Sequence, residues 1–96
     1  MDKPVTILTG ASRGIGYSTA KFLIEKGCPI GICCCNPENE VYLQELKNKA
    51  ERNGVPCSTF IGDIGDYNTS REFITKVREE IGEIEVLINN AAVSHI

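Results

Sequence analysis

Four short apolar runs and three longer amphipathic stretches alternate along the chain. The runs are rich in β-branched and other apolar residues, a composition typical of strands buried on both faces of a sheet. They are Val5–Thr9, Ile30–Cys35, Pro56–Ile61 and Glu85–Ile88. Each amphipathic stretch ends at a glycine, a frequent terminator of helices. These glycines are Gly27, Gly54 and Gly82. The pattern therefore predicts the order β-α-β-α-β-α-β.

The amphipathic stretches predict three helices. The first extends over Ile15–Lys26. The second begins with Asn36 as its N-cap and Pro37 at its first position, and it extends to about Asn53. Asp66 can cap the third helix. The apolar residues that recur at helical spacing are Ile15, Ala20, Phe22, Leu23, Ile24, Val41, Leu43, Leu46, Ala50, Phe73, Ile74, Val77 and Ile81.

Alternation of strands and helices predicts how the elements assemble. It implies right-handed crossovers and a parallel sheet with helices on both faces. The expected fold class is therefore α/β, with strand order 3-2-1-4. This is the first half of a Rossmann-type doubly wound sheet.

Composition and charge exclude several classes of partner. The 96 residues, 42% hydrophobic and 24% charged, suit one small globular domain. A formal net charge of -3 gives no electrostatic reason to expect nucleic acid or an anionic membrane. No segment approaches the roughly 20 consecutive apolar residues of a membrane-spanning helix. The five cysteines lack the spacing of a disulfide framework, so we expect a reducing compartment, the cytoplasm.

A glycine-rich turn, TGASRGIG, lies between the first predicted strand and the first helix. Gly10 allows a sharp turn, Gly14 lets backbone approach a pyrophosphate, and Gly16 lets the helix pack tightly. The helix N-terminus then offers N–H groups and the positive end of its dipole to phosphates. Ser12 either contributes to phosphate binding or serves as an ordinary cap. The candidate cofactor-binding residues of the turn are Gly10, Ser12, Arg13, Gly14, Ile15 and Gly16. We expect residues 1–96 to form one dinucleotide-binding half-domain.

The turn and a second motif, INNAA at Ile88–Ala92, resemble the short-chain dehydrogenase/reductase family. Members of that family carry TGxxxGxG after the first strand and NNAG after the fourth. The spacing of the two motifs extends the resemblance over essentially the whole chain. Within the family, TGASRGIG is most similar to the branch of the 3-oxoacyl-carrier-protein reductases. The resemblance implies an oxidoreductase that transfers hydride between a nicotinamide and a carbonyl or alcohol carbon.

The resemblance also implies roles for residues after the third and fourth strands. It implies that the Asp63 carboxylate contacts the adenine amine and that the Ile64 backbone reaches the ring. The alternative for Asp63 is a loop carboxylate or a cap. By the same resemblance, the backbone of Asn90, Ala91 and Ala92 lines the adenosine ribose. Ala92 stands where the family usually has glycine, so its methyl group could shift the cofactor.

The end of the second strand predicts which dinucleotide binds. An acidic residue about 20 positions after the turn selects NAD through the ribose 2′-hydroxyl. Cys34, Cys35 and Asn36 occupy those positions here. Without a carboxylate there, the pocket can accept a 2′-phosphate, which the arginine of the turn holds in the branch that the chain resembles. We therefore expect NADP(H) rather than NAD(H), with Arg13, Cys35 and Asn36 near the phosphate. The alternative for Arg13 is a solvated loop side chain.

The cysteine run does not predict a metal site. Side chains alternate along a strand, so Cys33 and Cys35 should point one way and Cys34 the other. The chain has no CxxC pair, and His95 is its only histidine. Since buried cysteines behave as small hydrophobes, we interpret the run as the end of a nucleotide-binding strand. We expect no metal ligands.

Catalytic residues have no counterpart in this sequence. The family's catalytic tyrosine, lysine, serine and further asparagine belong to the second half of its fold. Tyr17 and Lys21 copy the YxxxK spacing, but they lie in the first helix, so we interpret this match as coincidence. We therefore expect a truncated enzyme that lacks its substrate and catalytic half and is inactive as 96 residues alone.

Two other functions remain open at this point. One is a module that binds a dinucleotide or a partner chain without catalysis. The other is a thiol redox protein that uses the cysteine run. The fourth strand should expose an unpaired edge where a fifth would dock, which is a candidate site for self-association.

Overall fold

The computed structural model describes residues 3–90. Its strands are β1 (Val5–Thr9), β2 (Ile30–Cys34), β3 (Cys57–Ile61) and β4 (Ile84–Asn89). Its helices are α1 (Gly14–Glu25), α2 (Glu40–Arg52) and α3 (Tyr67–Glu80), and a 3-10 turn, Pro37–Asn39, precedes α2. The predicted order of strands and helices is confirmed. None of the helices within this range is long and apolar enough to cross a membrane.

The four strands form one parallel sheet in the order β3-β2-β1-β4. This confirms the predicted strand order. β1 pairs with both β2 and β4, and all five of its residues are buried. The chain places β2 and β3 on one side of β1 and β4 on the other, so the strand order reverses at β1. In open α/β sheets, ligands bind at the carboxyl ends of the strands beside such a reversal.

Helices cover both faces of the sheet and bury two separate cores. Under α1 and α2, the larger core includes Leu8, Ile24, Ile30, Ile32, Leu43 and Leu46. Under α3, the smaller core consists of Val5, Ile7, Cys33, Phe73 and Val77. A parallel sheet with helices on both faces is the doubly wound α/β arrangement of a Rossmann-type fold.

Helical spacing does not place every apolar side chain in a core. In α1, Ala20 is fully buried, whereas Ile15 and Phe22 are 78% and 54% exposed. Val41 of α2 and Ile74 of α3 are also exposed. Only one stripe of each helix faces the sheet, and side chains beside that stripe remain in solvent. The exposed residues are therefore available for other contacts.

The helix ends follow local capping rules with one difference from the prediction. Asn36 Oδ1 accepts a hydrogen bond from the Glu38 N–H at 2.9 Å, so Asn36 caps the 3-10 turn rather than α2 itself. Asp66 caps α3 as predicted, since its Oδ2 accepts from the Thr69 N–H at 2.9 Å. The Thr69 N–H, followed by the Thr69 hydroxyl, lowers the pKa of Asp66. Gly27 follows α1 with a φ of 82°, the left-handed conformation typical of a helix C-terminus.

α3 packs closely on β2 because Gly31 has no side chain. Gly31 lies inside β2, and Val77 of α3 is fully buried above the sheet. A Cβ built on Gly31 would lie 2.4 Å from Val77 Cγ2. The distance between α3 and the sheet therefore requires glycine at this strand position.

Gly31→Ala should destabilise the fold by about 1–3 kcal/mol, because the new methyl group would overlap Val77. Val77→Ala should make room for that methyl group in the double variant. The double variant should therefore lose less free energy of unfolding than the sum of the single variants, with a coupling of about 0.5–3 kcal/mol. Urea denaturation followed by circular dichroism measures the three losses. Additive losses would show that these two residues do not set the helix-to-sheet distance.

Candidate functional site

The turn between β1 and α1 uses each of its three glycines differently. Gly10 and Gly14 have φ values of 69° and 63°, which glycine adopts without steric cost. A Cβ built on Gly14 would meet no atom within 4 Å, so the backbone is open at this point. A Cβ built on Gly16 would lie 2.0 Å from the Gly10 carbonyl oxygen. Gly16 therefore permits tight packing of α1, while Gly14 leaves space above the backbone.

The N-terminus of α1 has no side-chain cap. Arg13 occupies the N-cap position with extended backbone, φ -166° and ψ 170°, and makes no capping hydrogen bond. No acidic residue lies in the first turn of α1. Ser12 is buried and its hydroxyl interacts with the Cys34 thiol, so Ser12 does not serve as the cap. The first N–H groups of α1 and the positive end of its dipole are thus available to an anion.

Two asparagines at the end of β4 tie this strand to the glycine turn. The Thr9 hydroxyl donates to Asn89 Oδ1 at 2.9 Å and accepts from the Asn90 N–H at 2.9 Å. Asn90 Nδ2 donates to the Gly10 carbonyl oxygen at 3.1 Å. That carbonyl is the group against which Gly16 packs. We call Thr9, Gly10, Asn89 and Asn90 the asparagine clasp.

The sequence predicts only a backbone role for Asn90 and does not predict the side-chain hydrogen bonds of the asparagine clasp. The asparagine doublet and the threonine before Gly10 are both visible in the sequence. Each asparagine, however, lies 80 residues along the chain from its side-chain hydrogen-bond partner in the turn. The clasp follows only once β1 and β4 are known to be neighbours.

The ends of β2 and β3 adjoin the same turn. The Ala11 N–H donates to the Cys33 carbonyl at 3.0 Å, which joins the glycine turn to β2. The Gly62 N–H donates to the Cys34 carbonyl at 2.9 Å, which joins the segment after β3 to β2. Together with the asparagine clasp, these bonds join the glycine turn to the ends of β4 and β2, and the end of β2 to the segment after β3.

Cys35 and Asn36 directly follow the carboxyl end of β2. β2 ends at Cys34, one residue earlier than predicted, and Cys35 is exposed. Cys33 and Cys34 face opposite sides of the sheet as predicted, whereas Cys35 lies beyond the strand, so the predicted alternation does not extend to it. Asn36 is exposed as well, although its Oδ1 is used in the 3-10 turn. Neither residue carries a carboxylate.

The buried thiols are poor candidates for redox or metal chemistry. Cys33 packs in the core under α3, and Cys34 packs in the core under α1 and α2. Burial raises the pKa of Cys33 to about 12 and also raises that of Cys34. Burial raises the pKa of Cys57 to about 11. Such thiols remain protonated near neutral pH, and the thiolate is the reactive form. Within residues 3–90, no three His, Cys, Asp or Glu side chains form a group that could hold a metal ion.

Asp63 helps to shape the loop between β3 and α3. Its Oδ1 accepts a hydrogen bond from the Gly65 N–H at 2.9 Å, and its carbonyl accepts from the Asp66 N–H at 3.0 Å. One oxygen of the Asp63 carboxylate is therefore engaged within the loop, as the loop-carboxylate alternative predicts. Ile64 packs against the core under α3. Asp63 itself is exposed beside the strand ends.

Tyr17 and Lys21 make contacts that belong to the packing of α1. The Tyr17 hydroxyl donates to Glu45 Oε1 of α2 at 3.0 Å. Burial, followed by the neighbouring Glu45, raises the pKa of Tyr17. In the family that the chain resembles, the catalytic lysine lowers the tyrosine pKa, which is the opposite direction. Lys21 Nζ instead lies 5.9 Å from the centroid of the Tyr17 ring. These contacts support the interpretation of YSTAK as coincidence.

Three residues from the sequence argument lie outside the described part of the chain. They are Ala91, Ala92 and His95. The predicted roles of Ala91 and Ala92 in lining the ribose therefore remain predictions.

Comparison with known proteins adds independent information. A family profile described as short chain dehydrogenase matches residues 4–96. Human Short-chain dehydrogenase/reductase 3 is 34% identical over 93% of this chain and 29% of its own length. General stress protein 39 of Bacillus subtilis is 30% identical over 95% of this chain and 31% of its own length. The chain thus spans about a third of the length of these relatives.

A solved structure shows the same arrangement of elements. A blue fluorescent protein from a metagenomic library, in complex with NADPH, matches with a TM-score of 0.88 and 25% sequence identity. The match covers 96% of this chain and 37% of the other. The family profile covers nearly the whole chain and includes both the glycine turn and the asparagine clasp. This chain therefore belongs to the short-chain dehydrogenase/reductase family.

Proposed function

We propose that this chain binds NADP(H) as the cofactor half of a reductase that transfers hydride between nicotinamide and a carbonyl or alcohol carbon. The observation that carries the proposal is the uncapped N-terminus of α1 at the glycine turn. A diphosphate bound there would accept hydrogen bonds from N–H groups that the helix leaves unpaired. When bound, the nicotinamide supplies the hydride chemistry, and the protein positions it.

The preference for NADP(H) rests on charge around the end of β2. Arg13 is exposed, and its guanidinium makes no hydrogen bond or ion pair within residues 3–90. Cys35 and Asn36 leave the end of β2 without the carboxylate that would repel a 2′-phosphate. We propose that Arg13 holds that phosphate through a charge-assisted bond. The NADPH in the related metagenomic protein supports this choice of cofactor.

The adenosine half of the cofactor would lie along the remaining strand ends. Asp63 keeps one carboxylate oxygen for the adenine amine, and the backbone of Ile64 would reach the ring. The backbone of Asn90 would line the ribose, together with that of Ala91 and Ala92. The asparagine clasp holds this segment beside the glycine turn, so phosphates and ribose would be bound by one continuous surface.

We propose that the catalytic and substrate-binding residues lie outside these 96 residues. Two observations support this: the chain spans about a third of its relatives, and Tyr17 serves α1–α2 packing. The 96 residues alone should then be inactive, and the similarity to the 3-oxoacyl-carrier-protein reductase branch remains part of the proposal. Five free thiols favour a reducing compartment, the cytoplasm.

A second candidate function is a dinucleotide-binding module without catalysis. The engagement of Tyr17 by Glu45 favours it, because this removes the one YxxxK match as a catalytic pair. Both candidates predict that the 96 residues alone are inactive, so turnover of a carbonyl substrate with NADPH distinguishes them only when it is measured on the complete gene product. Both candidates require the same cofactor site, so the binding experiments apply to either.

Arg13→Ala should weaken NADPH binding and leave NADH binding nearly unchanged, because only NADPH carries the 2′-phosphate. The loss of a charge-assisted hydrogen bond is worth about 1.5–3 kcal/mol, which corresponds to about a 10- to 150-fold increase in Kd. Fluorescence titration of the unmodified chain and of the variant with each cofactor measures this difference.

Arg52→Ala is the matched control, because Arg52 is an exposed arginine at the far end of α2. It should leave both affinities unchanged. Equal affinities of the unmodified chain for NADPH and NADH would contradict the phosphate assignment. A similar loss in the Arg52 variant would point to general charge rather than a specific contact.

Alkylation of the folded chain should modify Cys35 well before Cys33 or Cys34. The Cys33 pKa, raised from 9.0 to about 12, leaves about 1,000-fold less thiolate than an unperturbed thiol. Iodoacetamide treatment near pH 8, followed by peptide mass spectrometry, compares the rates, and denaturant should equalise them. Equally fast modification of Cys33 in the folded chain would revive the thiol redox alternative.

A further inference from the structure

The cysteine run at the end of β2 contacts the glycine turn directly. β2 pairs with β1 on one side and with β3 on the other, so it is an internal strand of the sheet. The Cys33 carbonyl accepts the Ala11 N–H at 3.0 Å, and the Cys34 thiol interacts with the Ser12 hydroxyl. Two consecutive cysteines therefore hold two consecutive residues of the turn, one through its backbone and one through its side chain.

Cys34 also contacts the segment that follows β2. Its side chain is only 6% exposed, and its Sγ donates a hydrogen bond to the Asn36 carbonyl oxygen at 3.5 Å. That carbonyl also accepts the Asn39 N–H at 2.9 Å, and its two lone pairs allow both bonds. One buried thiol thus joins the glycine turn to the residue that caps the 3-10 turn.

The hydrogen-bonding capacity of each group fixes the direction of these bonds. A carbonyl oxygen only accepts, so the thiol proton points to Asn36. Burial raises the pKa of Cys34, so the thiol keeps this proton near neutral pH. Its sulfur can then only accept from Ser12, whose hydroxyl donates its single proton. We call this chain of bonds, from the Ser12 hydroxyl through the Cys34 thiol to the Asn36 carbonyl, the thiol link.

We propose that Cys34 is a positioning residue that favours NADPH by holding Ser12 and Asn36 on either side of the ribose 2′-phosphate. This inference rests on the proposed function, in which Arg13 binds that phosphate beside Cys35 and Asn36. Arg13 directly follows Ser12, so the thiol link fixes the backbone from which the guanidinium extends. Groups that are held in place before binding lose less conformational entropy when the ligand binds.

The thiol link also gives Ser12 an indirect role. The sequence leaves open whether Ser12 contributes to phosphate binding or serves as a cap, and the structure shows that it does not cap α1. Because the hydroxyl proton is donated to sulfur, the hydroxyl presents only lone pairs to a phosphate, and these would repel it. Ser12 therefore contributes to phosphate binding through Cys34 rather than as a ligand of its own.

Removal of the thiol tests the proposal. Cys34→Ala removes both bonds of the thiol link, so it should raise the Kd for NADPH about 3- to 10-fold and that for NADH less than about 2-fold. Cys34→Ser keeps a group that donates and accepts, so it should restore most of the NADPH affinity. Fluorescence titration with each cofactor measures the affinities, and circular dichroism checks that each variant is folded.

Cys57→Ala is the matched control. The Cys57 thiol packs against the same core as Cys34, but it lies at the amino end of β3, whereas the glycine turn follows the carboxyl end of β1. The control should leave both affinities unchanged. A loss of NADPH affinity as large as that of Cys34→Ala would mean that core packing, rather than the thiol link, controls binding, and would overturn the proposal.

A double-mutant cycle separates an indirect role of Ser12 from direct phosphate binding. Ser12→Ala breaks the same link, so it should cost a similar part of the NADPH affinity. The double variant with Cys34→Ala should bind NADPH no more weakly than the weaker single variant. Losses that multiply in the double variant would mean that Ser12 binds the phosphate independently, which contradicts the thiol link.

The proposed function and the role of Cys34 fail in different ways. An unmodified chain that binds NADPH no more tightly than NADH contradicts the proposed function, and the role of Cys34 fails with it. A preference for NADPH that survives Cys34→Ala, or that Cys34→Ser does not recover, overturns the role of Cys34 alone. Where Cys34→Ala does not fold, unchanged NADPH affinity in Ser12→Ala overturns that role.

Discussion

The close approach of α1 to the end of β1 is the constraint on which the site depends. A Cβ at Gly16 would lie 2.0 Å from the Gly10 carbonyl oxygen and 2.5 Å from Asn90 Nδ2, so the helix can start here only without a side chain. The first amides of α1 consequently lie directly after the central strand, with no side chain capping them. α3 shows the contrast, because Asp66 places its own carboxylate on the first amides of that helix. An anion has a position to occupy at α1 and none at α3.

The asparagine clasp connects the glycine turn before α1 to β4 as well as to β1. Thr9 holds Asn89, the last residue of β4, and Asn90, which follows it, and Asn90 in turn holds the Gly10 carbonyl. Each such hydrogen bond contributes about 0.5–1.5 kcal/mol, and together they join the strands on either side of the reversal in strand order. In the proposed function, binding would come mainly from backbone geometry, and Arg13 would supply the charge that distinguishes the two cofactors.

Sequence alone predicts the element order, the parallel sheet and its strand order, because these follow from periodicity and from general rules of α/β connection. It also predicts the glycine turn, because the residues that form this turn are close together along the chain. It does not predict that Phe22 remains exposed, since that depends on which stripe of α1 meets the sheet. Nor does it predict the contact of Gly31 with Val77 or the asparagine clasp, because each joins residues that are distant along the chain. The end of β2 before Cys35 is likewise decided by pairing with β3 rather than by composition.

The most direct test of the central claim is an NMR titration of the uniformly labelled chain with NADPH, followed at each backbone amide. Binding of the diphosphate at the start of α1 predicts that the amides of residues 13–16 shift most, and that inorganic pyrophosphate shifts the same amides at higher concentration. Saturable shifts elsewhere, with these four amides unmoved, would contradict the claim that this turn is the cofactor site.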